Sequence, residues 1–211
     1  MKTAPIRVLI VDDHFMARLG LAVPINGEPD MCLIAEAADA AEALLQYRQH
    51  RPDVVTMDYR MPGESGVKAA VAILGEFPEA RILMLSAYEG EEDIFRAVQA
   101  GVSGFLSKDA SRGSVLDAIR RVFAGEEVYA PKIADKLRAR ALREPLIPRE
   151  MEILRHIVSG RANKEIADAM RLSEPLVKLH VRKILEKLGA MDRTRAATLA
   201  IERGIIHLDD Y

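Results

Sequence analysis

The sequence has 211 residues, of which 49% are hydrophobic and 29% are charged. This balance can bury a core, and the length suits one large or two small domains. No apolar run reaches the roughly 18 residues of a membrane span, so we expect no membrane association. The single cysteine, Cys32, excludes an internal disulfide and fits a protein of the reducing cytoplasm.

The net charge of −2 is unevenly distributed. Residues 1–130 contain 13 Lys and Arg against 20 Asp and Glu, a net charge of −7. Residues 131–145 contain 5 against 2, and residues 146–211 contain 12 against 10, net charges of +3 and +2. A mildly basic end is compatible with DNA as its partner, although a solvated surface explains +2 equally well.

Short apolar segments alternate with helical patterns over residues 6–125. This alternation predicts a doubly wound α/β domain with a five-stranded parallel sheet covered on both faces. The ligand site of such a sheet lies beyond the carboxyl ends of its strands. The predicted strands are Arg7–Val11, Cys32–Ala37, Val54–Asp58, Ile82–Ser86 and Gly104–Leu106, and the predicted helices are Phe15–Pro24, Ala40–His50, Gly66–Phe77, Glu91–Gly101 and Ser111–Gly125.

The pattern changes after Gly125. Residues 126–145 are predicted to be a charged linker, helical or mixed, and residues 146–211 a small all-α domain. Gly160 and Gly189 stand where glycines that end helices are expected. The predicted helices of this part are Pro148–Ser159, Asn163–Met170, Glu174–Leu188 and Arg193–Arg203.

Three carboxylates stand at predicted strand ends. Asp12 and Asp13 follow the first strand, and Asp58 closes the third. Because the carboxyl ends of parallel strands share one rim of a sheet, we expect these side chains to meet and to repel one another. Oxygen ligands of this kind select Mg²⁺, and a carboxylate beside that ion can act as a nucleophile toward phosphorus.

Two further strand ends carry complementary groups. Ser86 ends the fourth strand and Lys108 follows the fifth, where a hydroxyl and an ammonium would stabilise a transferred phosphoryl group. Each residue alone has an ordinary explanation, as a helix cap, a turn residue or a surface charge. Their occurrence at successive strand ends favours one joint site. The neighbouring His14 is interpreted as structural, since no thiolate or second histidine lies near it in the sequence.

These residues lie in segments with a family resemblance. VLIVDDH, VVTMDYRMPGESG, ILMLSAY and GFLSKDA resemble the receiver domain of response regulators, so residues 1–125 are predicted to form a receiver domain. The resemblance implies that Asp58 accepts a phosphoryl group from a cognate histidine kinase. It also implies Mg²⁺ as the cofactor, held directly by Asp13 and Asp58, largely through water by Asp12, and by the main-chain carbonyl of Arg60.

The resemblance also assigns a switch. Ser86 and Lys108 would contact the phosphoryl oxygens, and Phe105 stands at the position of the aromatic residue that rotates inward when Ser86 moves toward the phosphate. A static core aromatic is the alternative for Phe105. We further hypothesise that Arg60 and Tyr88, two positions after the phosphorylated aspartate and the switch serine, limit the access of water to the phosphoryl group.

Two helices joined by a tight turn, Asn163–Met170 and Glu174–Leu188, predict a helix-turn-helix unit. Asn163 and Ser173 are the expected caps of these helices. Leu179 lies on the polar side of the second helix between cations, where it would touch a thymine methyl group. A merely solvated basic face is the alternative. The inner stripe of this helix consists of Val177, Val181, Ile184 and Leu188.

The string PREMEILRHIVSGRANKEIADAMRLSEPLVKLHVRKILEKLG resembles the LuxR-type DNA-binding domain. With the receiver in front, the chain resembles the NarL/FixJ subfamily of two-component response regulators, so residues 146–211 are predicted to bind promoter DNA. By this resemblance the base contacts fall on Lys178, Leu179 and Arg182, the phosphate contacts on Asn163, Lys164, Lys183 and Lys187, and the dimer contacts of the last helix on Leu199 and Ala200.

Two departures from the family pattern affect this domain. Ile147 stands where the family usually has Thr, which removes a side-chain cap worth ~1 kcal/mol. Pro175 and Leu176 stand where it usually has Lys and Thr, which removes a cation and a hydroxyl expected to touch phosphate. Because the fold signals are kept, we still predict DNA binding, with an unusual affinity or operator preference.

Together these features predict a phosphorylation-dependent transcription regulator, not an enzyme beyond its own phosphoryl transfer and dephosphorylation. Phosphorylation would shift a two-state equilibrium toward a homodimer whose reading helices meet successive major grooves. Three alternatives stay open at this point. One is an aspartyl-phosphate phosphatase, which would need an acid at the position of Arg60. The others are an interaction module whose DNA-binding half has decayed and a regulator controlled without phosphate.

Overall fold

The chain divides into two compact units. One consists of Met1–Glu89 and Ile94–Ala134, and the other of Gly90–Asp93 and Asp135–Tyr211. Across the described segments, no helix has both the length and the apolar character needed to cross a membrane. The structure is a computed structural model that describes residues 4–61, 65–87, 90–129 and 131–207.

A parallel sheet forms the centre of the first unit. Its strand order is β2-β1-β3-β4-β5-β6, and every neighbouring pair is parallel. The predicted count of five strands was wrong by one, because β6 has only two residues and too short a span to show a pattern. The strands within the described residues are β1 (Ile6–Val11), β2 (Met31–Ala37), β3 (Val54–Asp58), β4 (Ile82–Ser86), β5 (Gly104–Ser107) and β6 (Val128–Tyr129).

Helices cover both faces of the sheet, as the continuous apolar strands require. Val8 and Ile10 of β1 cluster with Ile25 and Ile119 on one face, while the intervening Leu9 is also fully buried. The helices of this unit are α1 (Phe15–Gly27), α2 (Ala40–His50), α3 (Gly66–Glu76), α4 (Glu91–Gln99) and α5 (Arg112–Phe123). Helix α1 contacts α5, while α2 contacts α3, β1 and β2, and α3 also contacts β3.

Helix α1 runs three residues beyond the predicted end at Pro24. A proline lacks the N–H that would bond four residues back, which usually ends or kinks a helix. Here Pro24 and Ile25 are both buried, so packing of the last turn against the sheet outweighs the single lost hydrogen bond.

Four of the described helices in the second unit pack around a core of their own. Gly160 and Gly189 have positive φ angles of 81° and 66°, which confirms the predicted glycine ends of two helices. The charged segment 131–145 contains a helix, which is one of the two forms predicted for it. The described helices are α6 (Pro131–Ala141), α7 (Pro148–Val158), α8 (Asn163–Met170), α9 (Glu174–Leu188) and α10 (Arg193–Glu202).

Candidate functional site

Four strand ends meet at one rim of the sheet. Because β1 and β3 are parallel neighbours in register, Asp12, which follows β1, lies beside Asp58 at the end of β3. Strand β4 ends at Ser86, and its neighbour β5 is followed by Lys108. The sheet therefore brings together the side chains that the sequence predicted to share a site.

The acidic residues form a compact cluster at this rim. One ligand atom from each of Asp12, Asp13, His14 and Asp58 lies within 4.8 Å of the others. Asp12 and Asp58 are buried, with 2% and 5% of their surface exposed. The His14 ring, in contrast, is 73% exposed, and its Nδ1 atom lies 3.0 Å from Asp13 Oδ1. The described part of the rim thus concentrates three carboxylates and one imidazole.

Lys108 joins two of these carboxylates. Its Nζ atom lies 2.7 Å from Asp12 Oδ2 and 2.8 Å from Asp58 Oδ2. Burial raises the pKa of the Asp58 carboxyl, Lys108 opposes this shift, and the Asp12 carboxylate adds to it. Burial alone would lower the pKa of Lys108, but its hydrogen bonds to Asp12 and Asp58 raise it, so the ammonium stays protonated at neutral pH.

The turn after Asp58 packs closely against that residue. The Arg60 N–H donates to Asp58 Oδ1 at 3.3 Å, and the Gly66 N–H donates to the carbonyl of Tyr59. A Cβ atom at Gly66 would overlap the Asp58 carbonyl oxygen, so only glycine leaves room for this approach. Tyr88, the second residue expected to limit water access, lies outside the described residues.

The residues of the predicted switch lie next to this rim. Ser86 is 1% exposed and Phe105 is fully buried. The Phe105 ring meets the buried Tyr59 ring edge-on, with 6.3 Å between centroids and an interplanar angle of 62°. The described conformation therefore has the aromatic side chain of Phe105 inside the protein.

Helices α8 and α9 form the predicted helix-turn-helix unit, but with different caps. The expected Asn163 cap was wrong, because Asn163 is the first residue of α8 and Ala162 precedes it at the cap position. Glu165 supports the start of α8 in another way, by accepting the Ala162 N–H at 2.6 Å. Ser173 occupies the cap position of α9 without a side-chain hydrogen bond. The carboxylate of α8 thus bonds the N–H of the cap residue, whereas an Asn cap would have accepted an N–H from the first helical turn.

Glu150 supports the start of α7 in the same way. Its Oε2 atom accepts the Ile147 N–H at 3.0 Å, which is one half of a capping box and not the first-turn N–H that a Thr side chain would accept. The same Oε2 atom lies 2.9 Å from Lys187 Nζ. A lysine on α9 therefore neutralises the carboxylate that supports the start of α7.

The outer side of α9 carries exposed residues of mixed chemistry. Lys178, Leu179, Arg182 and Lys183 are exposed, while Val177, Ile184 and Leu188 on the inner side are buried. Of the predicted phosphate contacts on the preceding helix, Lys164 is exposed and Asn163 is partly buried. Three of the four exposed residues are cations, and Lys178 and Arg182 form ion pairs with Glu174 and Glu186 of the same helix.

Two family matches account for both units. Residues 8–120 match the family described as the response regulator receiver domain, more than half of the chain. Residues 144–200 match the family described as bacterial regulatory proteins, luxR family. The chain belongs to the response regulators. It is a phosphorylation-dependent, DNA-binding transcriptional regulator of the two-component type, and its family is not one of classical enzymes.

Relatives of this response regulator match it over nearly its whole length. It is 36% identical to the uncharacterized transcriptional regulatory protein YxjL of Bacillus subtilis, over 98% of this chain and 100% of that protein. It is also 36% identical to the response regulator protein VraR of Staphylococcus aureus, over 95% and 99% of the two chains. The crystal structure of the response regulator ChrA of a heme-sensing two-component system shares 35% identity, covers 97% and 100%, and gives a TM-score of 0.58.

Three predicted residues of this response regulator lie in buried surroundings. The Lys187 side chain is 11% exposed and bonds Glu144 and Glu150, so its contact with phosphate stays a prediction. Leu199 and Ala200, predicted to contact a partner copy, are 6% and 0% exposed. Their role in a dimer also stays a prediction.

Sequence reasoning missed two residues that organise this response regulator. The sequence indicates Gly66 only as the start of a helix. In the structure its backbone lies so close to the Asp58 carbonyl that there is no room for a side chain. Glu150 was not singled out, although an acid three residues after a cap position is a recognised helix-start signal. Both signals are short, and their importance depends on contacts that only the folded chain makes.

Proposed function

We propose that Asp58 is the residue that accepts the phosphoryl group, with a histidine kinase as donor. The observation that carries this proposal is the meeting of Asp12, Asp13 and Asp58 with the Lys108 ammonium at one rim. This arrangement places a buried carboxylate beside both like charges and a cation. Such a carboxylate is available for covalent chemistry with an electrophilic phosphorus atom.

The carboxylates fit a hard divalent cation. Their ligand atoms lie within 4.8 Å of one another, which suits simultaneous or water-bridged contact with one ion. We propose that Asp13, Asp58 and the Arg60 carbonyl hold Mg²⁺ directly and that Asp12 does so largely through water. When bound, Mg²⁺ supplies positive charge that offsets the repulsion between the carboxylates and the transferring phosphoryl group.

The side chains of the site then have separate roles in transfer. One Asp58 carboxylate oxygen attacks phosphorus as the bond between phosphorus and the kinase imidazole nitrogen breaks. Lys108 Nζ lies 2.8 Å from Asp58 Oδ2. From this position the ammonium would stabilise the negative charge of the phosphoryl oxygens during transfer. Ser86 would donate its hydroxyl to the same group. Slow hydrolysis of the acyl phosphate would return the site to its starting state.

We further propose that the phosphoryl group acts through Ser86 and Phe105. Phe105 already lies inside the protein in the described conformation, so a bond from Ser86 to the phosphoryl group would hold the ring in that position. The free energy of these contacts would shift a pre-existing equilibrium toward a dimer. Leu199 and Ala200 of α10 would contribute to that dimer after a rearrangement that exposes them.

Helix α9 is proposed to read promoter DNA. Lys178, Leu179 and Arg182 would contact base edges, and Asn163, Lys164, Lys183 and Lys187 would contact phosphates. Residues 1–125 would then be the receiver, 126–145 the linker and 146–211 the DNA-binding domain. Because chromosomal DNA is the partner, the site of action would be the cytoplasm.

Intact mass after incubation with acetyl phosphate and Mg²⁺ tests the central step. The parent should gain the mass of one phosphoryl group, and Asp58→Ala should gain none. Asp109→Ala is the matched control, because Asp109 is an exposed acid next to Lys108 and should leave the gain unchanged. Equal phosphorylation of the parent and Asp58→Ala would contradict the proposal.

A further inference from the structure

A groove of about 620 Å³ runs between helices α1 and α5 of the first unit. Three apolar side chains of α1 form one wall, those of Met16, Leu19 and Val23, and they are 71%, 44% and 64% exposed. Their spacing places them on one side of the helix. The buried side chains of Val115 and Leu116 line the groove from α5. This volume and this apolar lining are typical of sites for small molecules.

Gly20 leaves the middle of the α1 wall open. It lies inside the helix, where glycine is less stable than alanine or leucine. Apart from the backbone of its own helix, a Cβ atom at Gly20 would have no described atom within 4 Å, so packing does not require glycine here. The missing side chain instead leaves room beside Leu19 and Val23. A residue that weakens the helix and opens a groove indicates a binding site more than a packed surface.

The end of the groove at the start of α1 does not favour an anion. Asp12 and Lys108 line this end, and Lys108 Nζ lies 2.7 Å from Asp12 Oδ2 and 2.8 Å from Asp58 Oδ2. Asp13 adds a third carboxylate to the same cluster. One ammonium among three carboxylates leaves a net negative charge, which bound Mg²⁺ would balance without a surplus. The charged head of an anionic ligand therefore has no partner at this end.

A cation with a distant partner lies at the other end of the groove. Arg112 Nη2 is 3.9 Å from Glu28 Oε1, while the other oxygen of Glu28 accepts from Arg120 at 2.8 Å. Arg112 Nη2 would lie 3.5 Å from a Cβ atom at Gly27, which places it at the C-terminal end of α1. The Arg112 side chain is 62% exposed, and a guanidinium binds a carboxylate through two parallel N–H donors. An anionic ligand would give Arg112 a closer partner than Glu28 does.

We propose that this groove binds an aliphatic carboxylate, with the carboxylate on Arg112 and the chain between α1 and α5. The α1 wall from Met16 to Val23 is about 10 Å long, roughly the length of an extended chain of eight carbons. The chain would cover the space beside Gly20. Up to that length, each CH₂ removed from water should tighten binding about fourfold, since it contributes about 0.8 kcal/mol.

Calorimetric titration of the full chain, in the presence of Mg²⁺, tests the proposal with sodium butyrate, hexanoate, octanoate and decanoate. Affinity should rise about fourfold with each CH₂ up to about eight carbons and then level off. Octylamine has the chain of octanoate but a cationic head, and it should bind at least about threefold more weakly than octanoate. Arg112→Gln should weaken octanoate binding about threefold and leave the binding of octan-1-ol unchanged.

Gly20→Leu and Gly75→Leu form the matched pair of variants. Gly20→Leu fills the groove and should abolish octanoate binding. Its stability in urea should equal or exceed that of the parent, because leucine favours a helix more than glycine does. Gly75 is an exposed glycine of α3, outside the groove, with the same open space around a Cβ atom. Gly75→Leu should therefore bind octanoate as the parent does.

Four results would overturn the inference. They are no measurable binding of octanoate by the parent, an affinity independent of chain length, an unchanged affinity in Gly20→Leu, and equal affinities in the parent and Arg112→Gln. A second copy of the chain is the other candidate occupant. It would be indicated if octanoate failed to bind and Gly20→Leu dissociated a dimer of the parent in sedimentation. Phosphorylation by acetyl phosphate is measured separately, so failure of this inference leaves the proposed function intact.

Discussion

Each unit contains a cluster in which one lysine faces two carboxylates, yet the two clusters have opposite effects on acidity. In the first unit, Lys108 Nζ lies 2.7 Å from Asp12 Oδ2 and 2.8 Å from Asp58 Oδ2. The pKa of Asp58 is nevertheless raised, because burial and the Asp12 charge outweigh the lysine. We call this group, together with Asp13, the receiver cluster.

In the second unit, Lys187 Nζ lies 2.9 Å from both Glu144 Oε1 and Glu150 Oε2. Burial alone would raise the pKa of Glu150, but Lys187 and the Ile147 N–H lower it below its ordinary value. We call these three charged residues the α9 cluster. Similar lysine–carboxylate distances thus accompany a raised carboxyl pKa in one unit and a lowered one in the other.

The difference lies in how many of the carboxylates are buried. Asp12 and Asp58 are both buried, whereas the Glu144 side chain is 72% exposed and is stabilised by water. Lys187 therefore neutralises one buried carboxylate, that of Glu150, whereas Lys108 is the partner of two buried carboxylates, those of Asp12 and Asp58. A buried excess of negative charge favours the binding of a further cation, while a balanced cluster stabilises the fold.

Removal of the lysine from each cluster should have the largest effect. Lys187→Met leaves Glu150 buried without its partner, so the free energy of unfolding of the second unit should fall by about 3 kcal/mol. Urea titrations followed by the amide NMR signals of each unit would measure this loss. The matched control is Lys183→Met on the exposed side of the same helix, which should change stability by less than about 0.5 kcal/mol.

The stability of Lys108→Met should depend on Mg²⁺, whereas that of Lys187→Met should not. In EDTA it should destabilise the first unit by a similar amount, about 3 kcal/mol. Mg²⁺ should restore much of that loss, since the cation can replace the ammonium among three carboxylates. The same addition should leave Lys187→Met unchanged. Equal rescue of both variants, or of neither, would show that the two clusters do not differ in the way we describe.

The two clusters also differed in how far the sequence could predict them. The receiver cluster was predicted because a parallel sheet places its strand ends together, whatever the loops between them do. The α9 cluster was not, because a helical pattern gives the side of the helix on which Lys187 lies but not the residue that another helix presents to it. Glu150 is 37 positions away in the chain. The two-residue strand β6 and the cap position at Ala162 were also missed. Each involves too few residues to show a periodic pattern of hydrophobic and polar residues in the sequence.

Neutral substitutions of the buried carboxylates should change stability in opposite directions. The pKa of Asp58 is higher in the folded protein than its ordinary 3.8, so its contribution is present at low pH and is lost as pH rises through the folded value. In EDTA at pH 7, Asp58→Asn should therefore raise the free energy of unfolding by about 1 kcal/mol. The pKa of Glu150 is lower than its ordinary 4.5, so its contribution is present above that value and is lost as pH falls.

Glu150→Gln should accordingly lower the free energy of unfolding at pH 7 by about 1–2 kcal/mol. The Asp58→Asn difference should shrink as the pH is lowered toward 4, because the pKa of Asp58 is raised and its carboxyl becomes neutral in the parent as well. The Glu150→Gln difference should shrink only as the pH falls further, because the pKa of Glu150 lies below its ordinary 4.5. Urea titrations over this pH range would measure the signs. Effects of the same sign for the two variants would contradict the contrast between a raised and a lowered carboxyl pKa.

The smallest effect is expected where a carboxylate is exposed, on the outer side of α9. The side chains of Glu186 and Arg182 are 61% and 80% exposed, so Glu186→Gln should change the free energy of unfolding by less than about 0.5 kcal/mol. Its consequence should appear in DNA binding instead. Without Glu186, Arg182 is free before the complex forms and one source of repulsion from phosphate is gone, so affinity should rise about twofold.

The control for this variant separates a local effect from a change in net charge. Glu202→Gln removes the same charge from α10, where Glu202 lies 3.4 Å from Arg195. If Arg182 contacts DNA, Glu186→Gln should tighten binding at low salt and Glu202→Gln should not. Equal tightening by both would mean that total charge, not the geometry of α9, sets the affinity. The pair of Arg182 and Glu186 differs from both the receiver cluster and the α9 cluster. Water solvates its carboxylate, so the pair neither raises the pKa of a buried acid nor contributes much to the stability of the fold.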